Sequence, residues 1–132
     1  MGELNLKARG PADVALAWER YADPGLWSTW APQIQRVETD MSRLRAGGHG
    51  VVRAGVLPHP TLGIPFSVLD VDEEARSWVW KVNLGPVRLV LEHGVEPEGT
   101  GSMTSLRLRG PLPVLLAYAP VARFALGRLV AE

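Results

Sequence analysis

Residues 78–93 read Trp78-Val79-Trp80-Lys81-Val82-Asn83-Leu84-Gly85-Pro86-Val87-Arg88-Leu89-Val90-Leu91-Glu92-His93. Two alternating runs meet at Gly85-Pro86, where a two-residue type II′ turn suits a glycine at positive φ followed by a proline at negative φ. That turn pairs Leu84 with Val87, Val82 with Leu89, Trp80 with Leu91 and Trp78 with His93. The apolar parity of both strands then falls on one face, with Lys81, Asn83, Arg88 and Glu92 on the other. A four-residue turn over Pro97 to Thr100 adds a third strand. It sets Leu89 against Leu108, Leu91 against Leu106 and His93 against Thr104, and leaves Arg107 and Arg109 outside. Two turns that agree on the inward side predict an antiparallel sheet with one buried face.

Upstream, Leu4, Leu6 and Ala8 alternate with Glu3, Asn5 and Lys7, which predicts strand one. Gly10-Pro11 opens a helix with Pro11 at its first position, Asp13 favouring the dipole, and Val14, Ala17, Trp18 and Tyr21 on one stripe. Asp23-Pro24 closes it and begins a second, short helix with Leu26, Trp27 and Trp30 inward, ended by Ala31-Pro32. From Ile34 strands recur. They break at Gly47-Gly48 and at a loop over Leu57 to Gly63, because Pro58, Pro60 and Pro65 are unsuited to central strands. Beyond the third strand of the meander, Pro111 to Pro120 is apolar and Val121 to Glu132 helical. Tyr118, Val121, Ala122, Ala125 and Leu129 share a stripe there, and Pro120 either starts this helix or lies within a longer one. The order predicts an α+β fold in which a curved antiparallel sheet wraps the long C-terminal helix and leaves an elongated apolar cavity between them.

The chain has 132 residues, 46% of them hydrophobic, which suits one domain over residues 1–132. Its 14 basic and 14 acidic side chains cancel, so no nucleic-acid partner is expected. With no cysteine there is no disulfide, thiol catalysis or thiolate metal site. His49, His59 and His93 lack ligand spacing, so neither metal nor other cofactor is expected. The apolar run from Pro111 to Ala122 is too short for stable membrane insertion, and Met1 to Leu6 lacks a signal-peptide pattern. Cytoplasmic residence is the expectation; the oligomeric state stays open.

The stretch Tyr21-Ala22-Asp23-Pro24-Gly25-Leu26-Trp27-Ser28-Thr29-Trp30-Ala31-Pro32, followed by Val37-Glu38, resembles the START-like superfamily, also called SRPBCC or helix-grip. The likeness is greatest to its polyketide cyclase/dehydrase and lipid-transport branch. It continues through Val71-Asp72, Arg76-Ser77-Trp78-Val79-Trp80, Leu91-Glu92-His93 and Gly101-Ser102, and departs at the Pro-rich stretch Leu57 to Pro65. The resemblance implies a hydrophobic small-molecule partner, in some members cyclised or dehydrated, in others replaced by a protein partner.

Three side chains are candidates for chemistry. His93, directed inward, suits a general acid or base, or else a neutral histidine satisfied by Thr104 or water. Tyr118 on the helix stripe reaches either a ligand oxygen or solvent. Arg53 is an anion anchor if it points inward and a solvated side chain if it points outward. Trp27, Trp30, Trp78 and Trp80, with Leu89, Leu91, Thr104, Leu106, Ala122 and Ala125, are expected to wall the ligand site or to serve as plain core.

Overall fold

A computed structural model describes residues 2–55 and 62–132. Seven strands form one antiparallel sheet in the order β1-β7-β6-β5-β4-β3-β2. Strand β1 (Gly2–Gly10) is one edge and β2 (Ile34–Thr39) the other. Between them in the chain lie α1 (Val14–Ala22), a 3-10 turn (Pro24–Leu26) and α2 (Trp27–Trp30), so the helices carry the chain from one edge to the other. A meander returns through β3 (His49–Ala54), β4 (Leu62–Asp72), β5 (Ser77–Leu84), β6 (Val87–Glu98) and β7 (Gly101–Gly110). Helix α3 (Leu112–Leu129) closes the fold across the inner face. Bulges between Ile34 and Arg36 in β2, and between Val68 and Asp70 in β4, shift the register and bend the sheet.

The inner face carries the apolar parity read from the sequence. Trp78, Trp80, Val82, Leu89, Leu91, His93, Thr104, Leu106 and Leu108 are all buried. The β5–β6 register follows the expected turn, with Leu84 opposite Val87 and Trp80 opposite Leu91, and Gly85 at φ +59°. The β6–β7 register does not. Glu98 pairs with Gly101 across a two-residue turn whose Gly99 takes φ +59°, so Leu91 faces Leu108 and His93 faces Leu106. The difference is two residues, and the inward parity survives it.

Pro97 caused the misreading, and Pro65 caused a second. Leu62, Gly63 and Pro65 are not loop but the start of β4, paired with β3. Residues 57–61 of the expected loop lie outside the described residues. Pairing of β4 with β5 begins only at Phe66, and pairing of β5 with β6 reaches only to Gly94. Each proline therefore sits where its strand has one neighbour, and its missing donor costs no ladder bond on the open side.

Helix α1 starts later than Pro11. Asp13 is its N-cap, its carboxylate accepting from Ala15 N at 3.0 Å. At the other end the indole N–H groups of Trp27 and Trp30 donate to the carbonyls of Tyr21 and Arg20, at 2.8 and 2.9 Å. The two tryptophans of the short helix thus satisfy terminal carbonyls that α1 cannot pair itself. Pro120 lies inside α3, which is continuous from Leu112. Arg20 donates to the carbonyls of Leu129 and Ala131, both at 2.6 Å, and caps the helix end.

Leu108 is fully buried between sheet and helix, whereas Arg109 beside it is exposed. Leu108→Ala is expected to cost about 2–5 kcal/mol in urea denaturation. Arg109→Ala should stay within about 0.5 kcal/mol of the parent.

Candidate functional site

Helix α3 packs on β1 and β7, at one side of the bent sheet. The inner face of the other strands is left partly uncovered by it. Between them lies a cavity of about 250 Å³. Its sheet wall includes Ile34, Val52, Ala54, Ile64, Trp80, Val82, Leu84, Leu89, Leu91 and Leu106; Trp30 and Gln33 close one flank, and Tyr118, Val121, Ala122, Ala125 and Leu126 face it from α3. Ala122 and Ala125 are the small residues of that helix stripe, so the gap opposite them is not filled by side chains.

Of the residues singled out from the sequence, Trp30, Trp80, Leu89, Leu91, His93, Leu106, Tyr118, Ala122 and Ala125 line this cavity. Trp27, Trp78 and Thr104 are not among its lining residues. Trp27 stacks on Trp78 at 5.5 Å between ring centroids, and Trp78 stacks on His93 at 4.7 Å and 12°. These rings form a solid plug beyond the cavity's end. Arg53 stands on the opposite face of β3 from Val52 and is removed from the site. Its guanidinium pairs with Glu38 at 3.0 Å, outside the cavity, so it cannot anchor a ligand there. Of the three residues considered for chemistry, His93 and Tyr118 therefore reach the same cavity and Arg53 does not.

His93 is held by a directional hydrogen-bond chain. Trp80 Nε1, which can only donate, reaches His93 Nε2 at 3.1 Å, so the imidazole proton resides on Nδ1. That nitrogen donates to the Tyr21 hydroxyl at 3.3 Å, Tyr21 donates to Thr104 Oγ1, and Thr104 donates to the carbonyl of Gly94 at 2.9 Å. No donor or acceptor in the chain faces its own kind. A second proton, on Nε2, would point at the tryptophan N–H. Burial lowers the His93 pKa to about 3 and pushes the Tyr21 phenol above its ordinary range. Burial therefore favours the neutral imidazole.

Gln33 and Tyr21 were missed by sequence reading. Gln33 lies between α2 and β2, where no periodicity directs it, and Tyr21 was read only as a helix-stripe residue. Gln33 Nε2 donates to the Tyr118 hydroxyl at 3.1 Å. Burial raises the Tyr118 pKa, so the hydroxyl stays protonated at neutral pH. A larger depression on the outer sheet face, of about 510 Å³, is lined by Lys7, Asp70, Glu92 and Arg107 among others. Its mixed charges mark solvated surface. Among the described residues no three His, Asp or Glu side chains gather as a metal site.

A bent antiparallel sheet gripping a C-terminal helix around an apolar cavity is the helix-grip architecture. Residues 1–132 match the family described as polyketide cyclase / dehydrase and lipid transport, and the chain belongs to it. Among solved structures, Ara h 8.0201 superposes with a TM-score of 0.78 at 13% identity, covering 97% of this chain and 94% of that one. Major latex-like protein 151 from Panax ginseng gives 0.71 at 16%, covering 92% and 93%. The di-domain ARO/CYC BexL of the BE-7585A biosynthetic pathway gives 0.81 at 15%, with 98% of this chain matched to 45% of that one. At these identities the likeness is one of fold. No curated protein matches the sequence.

The buried neutral imidazole makes stability depend on pH. The unfolded histidine binds a proton near pH 6.5 and the folded one only near 3. The native state therefore keeps this contribution above 6.5 and loses about 1.4 kcal/mol per pH unit as pH falls towards 3. Urea denaturation of the parent and His93→Gln at pH 7 and pH 5 should show the gap between them shrinking by about 2 kcal/mol at the lower pH. A gap independent of pH would mean a solvated imidazole.

Proposed function

We propose that this chain acts as one unit that binds a hydrophobic small molecule, aromatic or polyketide- or lipid-like, in the cavity between sheet and α3. The observation that carries the reading is the cavity wall, which is almost wholly aliphatic and aromatic. Its volume of about 250 Å³ sits at the lower end for ligand sites, which favours a compact ring system or a short chain. The same reading takes the cytoplasm as the compartment.

Cyclisation or dehydration is the second reading, supported by the family's name. It asks for a proton carrier near neutral pH; burial disfavours charging His93, Arg53 faces away, and the Tyr118 hydroxyl holds its proton. What remains is confinement, in which the wall holds a flexible chain in one reactive conformer. Carriage without chemistry fits the geometry best. A partner-binding module without a ligand is less well supported, since such a role has no use for the space opposite Ala122 and Ala125.

Trp30 and Trp80 line the cavity, so occupancy is readable in intrinsic fluorescence. Titration with the uncharged probe N-phenyl-1-naphthylamine should quench tryptophan emission and saturate at one equivalent. Ala125→Phe, which fills the space, should weaken that binding at least tenfold while the protein stays folded by circular dichroism. No saturable binding by the parent protein would end the carrier reading.

A further inference from the structure

Among the described residues, the cavity has one polar feature besides the occupied His93, the pair Gln33–Tyr118. Gln33 is fixed at its backbone, its carbonyl accepting from Gly55 N at 3.2 Å at the end of β3, while Tyr118 comes from α3. The pair therefore spans sheet side and helix side of the site. Their mutual hydrogen bond uses one amide group and one side of the hydroxyl. The second amide atom, Gln33 Oε1, is buried with no hydrogen-bond partner among the described residues. Because Tyr118 accepts from Gln33, its own proton is uncommitted.

The pair thus leaves one acceptor and one donor. Rotating the amide by half a turn exchanges their identities but not their number: Tyr118 then donates to Oε1, leaving the amide N–H as donor and the phenolic oxygen as acceptor. Either arrangement complements a ligand group that both gives and receives a hydrogen bond. We propose that Gln33 and Tyr118 select, among hydrophobic ligands of the cavity, those bearing an uncharged hydroxyl, as in a phenol or alcohol. A carboxylate only accepts. It would strand the Gln33 acceptor and bring an unpaired charge into an apolar space. A hydrocarbon would leave both groups unpaired in a site it has dried.

This proposal rests on the binding reading above, and isosteric probes separate the two. Binding of 2-naphthol, 2-methylnaphthalene and 2-naphthoate to the full chain at pH 7 is followed by tryptophan quenching. The naphthol should bind about tenfold tighter than the methyl compound, as one net hydrogen-bonded group warrants, and the naphthoate should bind more weakly than the naphthol. In Tyr118→Phe and in Gln33→Leu the naphthol advantage should fall to within about twofold, with 2-methylnaphthalene held at least as tightly as by the parent. Either variant suffices if the other fails to fold. Equal binding of naphthol and methylnaphthalene by the parent overturns the proposal and leaves the cavity intact as an apolar site. A naphthol preference that survives both substitutions assigns selectivity elsewhere and overturns it too. If none of the three probes binds, the carrier reading falls and takes this one with it.

Discussion

Helix α3 has 18 residues to cover the inner face of seven strands, and one rod cannot touch both sides of a bent sheet. It rests on β1 and β7. The remaining inner surface must then be covered by something else or left open. Near α1 and α2 it is covered, by the plug of Trp27, Trp78, His93 and Tyr21. Towards β3 and β4 it is not, and there the cavity lies. Every functional statement about this protein follows from that division of one apolar face into a sealed part and an open part.

The network at the edge of the sealed part also explains how an inward histidine is satisfied without a ligand. Trp80 donates to one ring nitrogen, Tyr21 accepts from the other, and the chain ends on the backbone carbonyl of Gly94. A buried polar group satisfied at both ends stabilises a unique arrangement of β5, β6, β7 and α1. The same burial that holds the network together denies the imidazole a proton at neutral pH. Position in an apolar interior supplied the suspicion of catalysis, and the hydrogen-bond partners account for the same position structurally.

Much of this was legible in the sequence because period-two alternation and tight turns are local. The Gly85-Pro86 turn and the inward set on β5 to β7 needed only neighbouring residues. The prolines misled because Pro65 and Pro97 look like breakers until one knows how far the adjacent strand extends, which is a property of the sheet and not of either segment. The β6–β7 turn was misplaced for that reason, although the parity, and with it the identity of the wall, was unaffected. Gln33 was illegible for a different one. It lies between two elements, and only the return of α3 across the inner face gives it a neighbour in Tyr118. Arg53 alternates poorly in sequence, and its outward direction was set by Glu38 on the next strand.

Strand order carries a further consequence for the way the chain acquires its structure. Leu6 in β1 pairs with Leu106 in β7, so the first strand made waits for the seventh. At a synthesis rate of about 5 to 20 residues per second, roughly a hundred residues means some 5 to 20 seconds on the ribosome with that edge unpaired. The inner face of β1 waits longer still, since the helix that packs on it is last to emerge. During that interval an apolar strand face that the folded protein buries stands open to solvent.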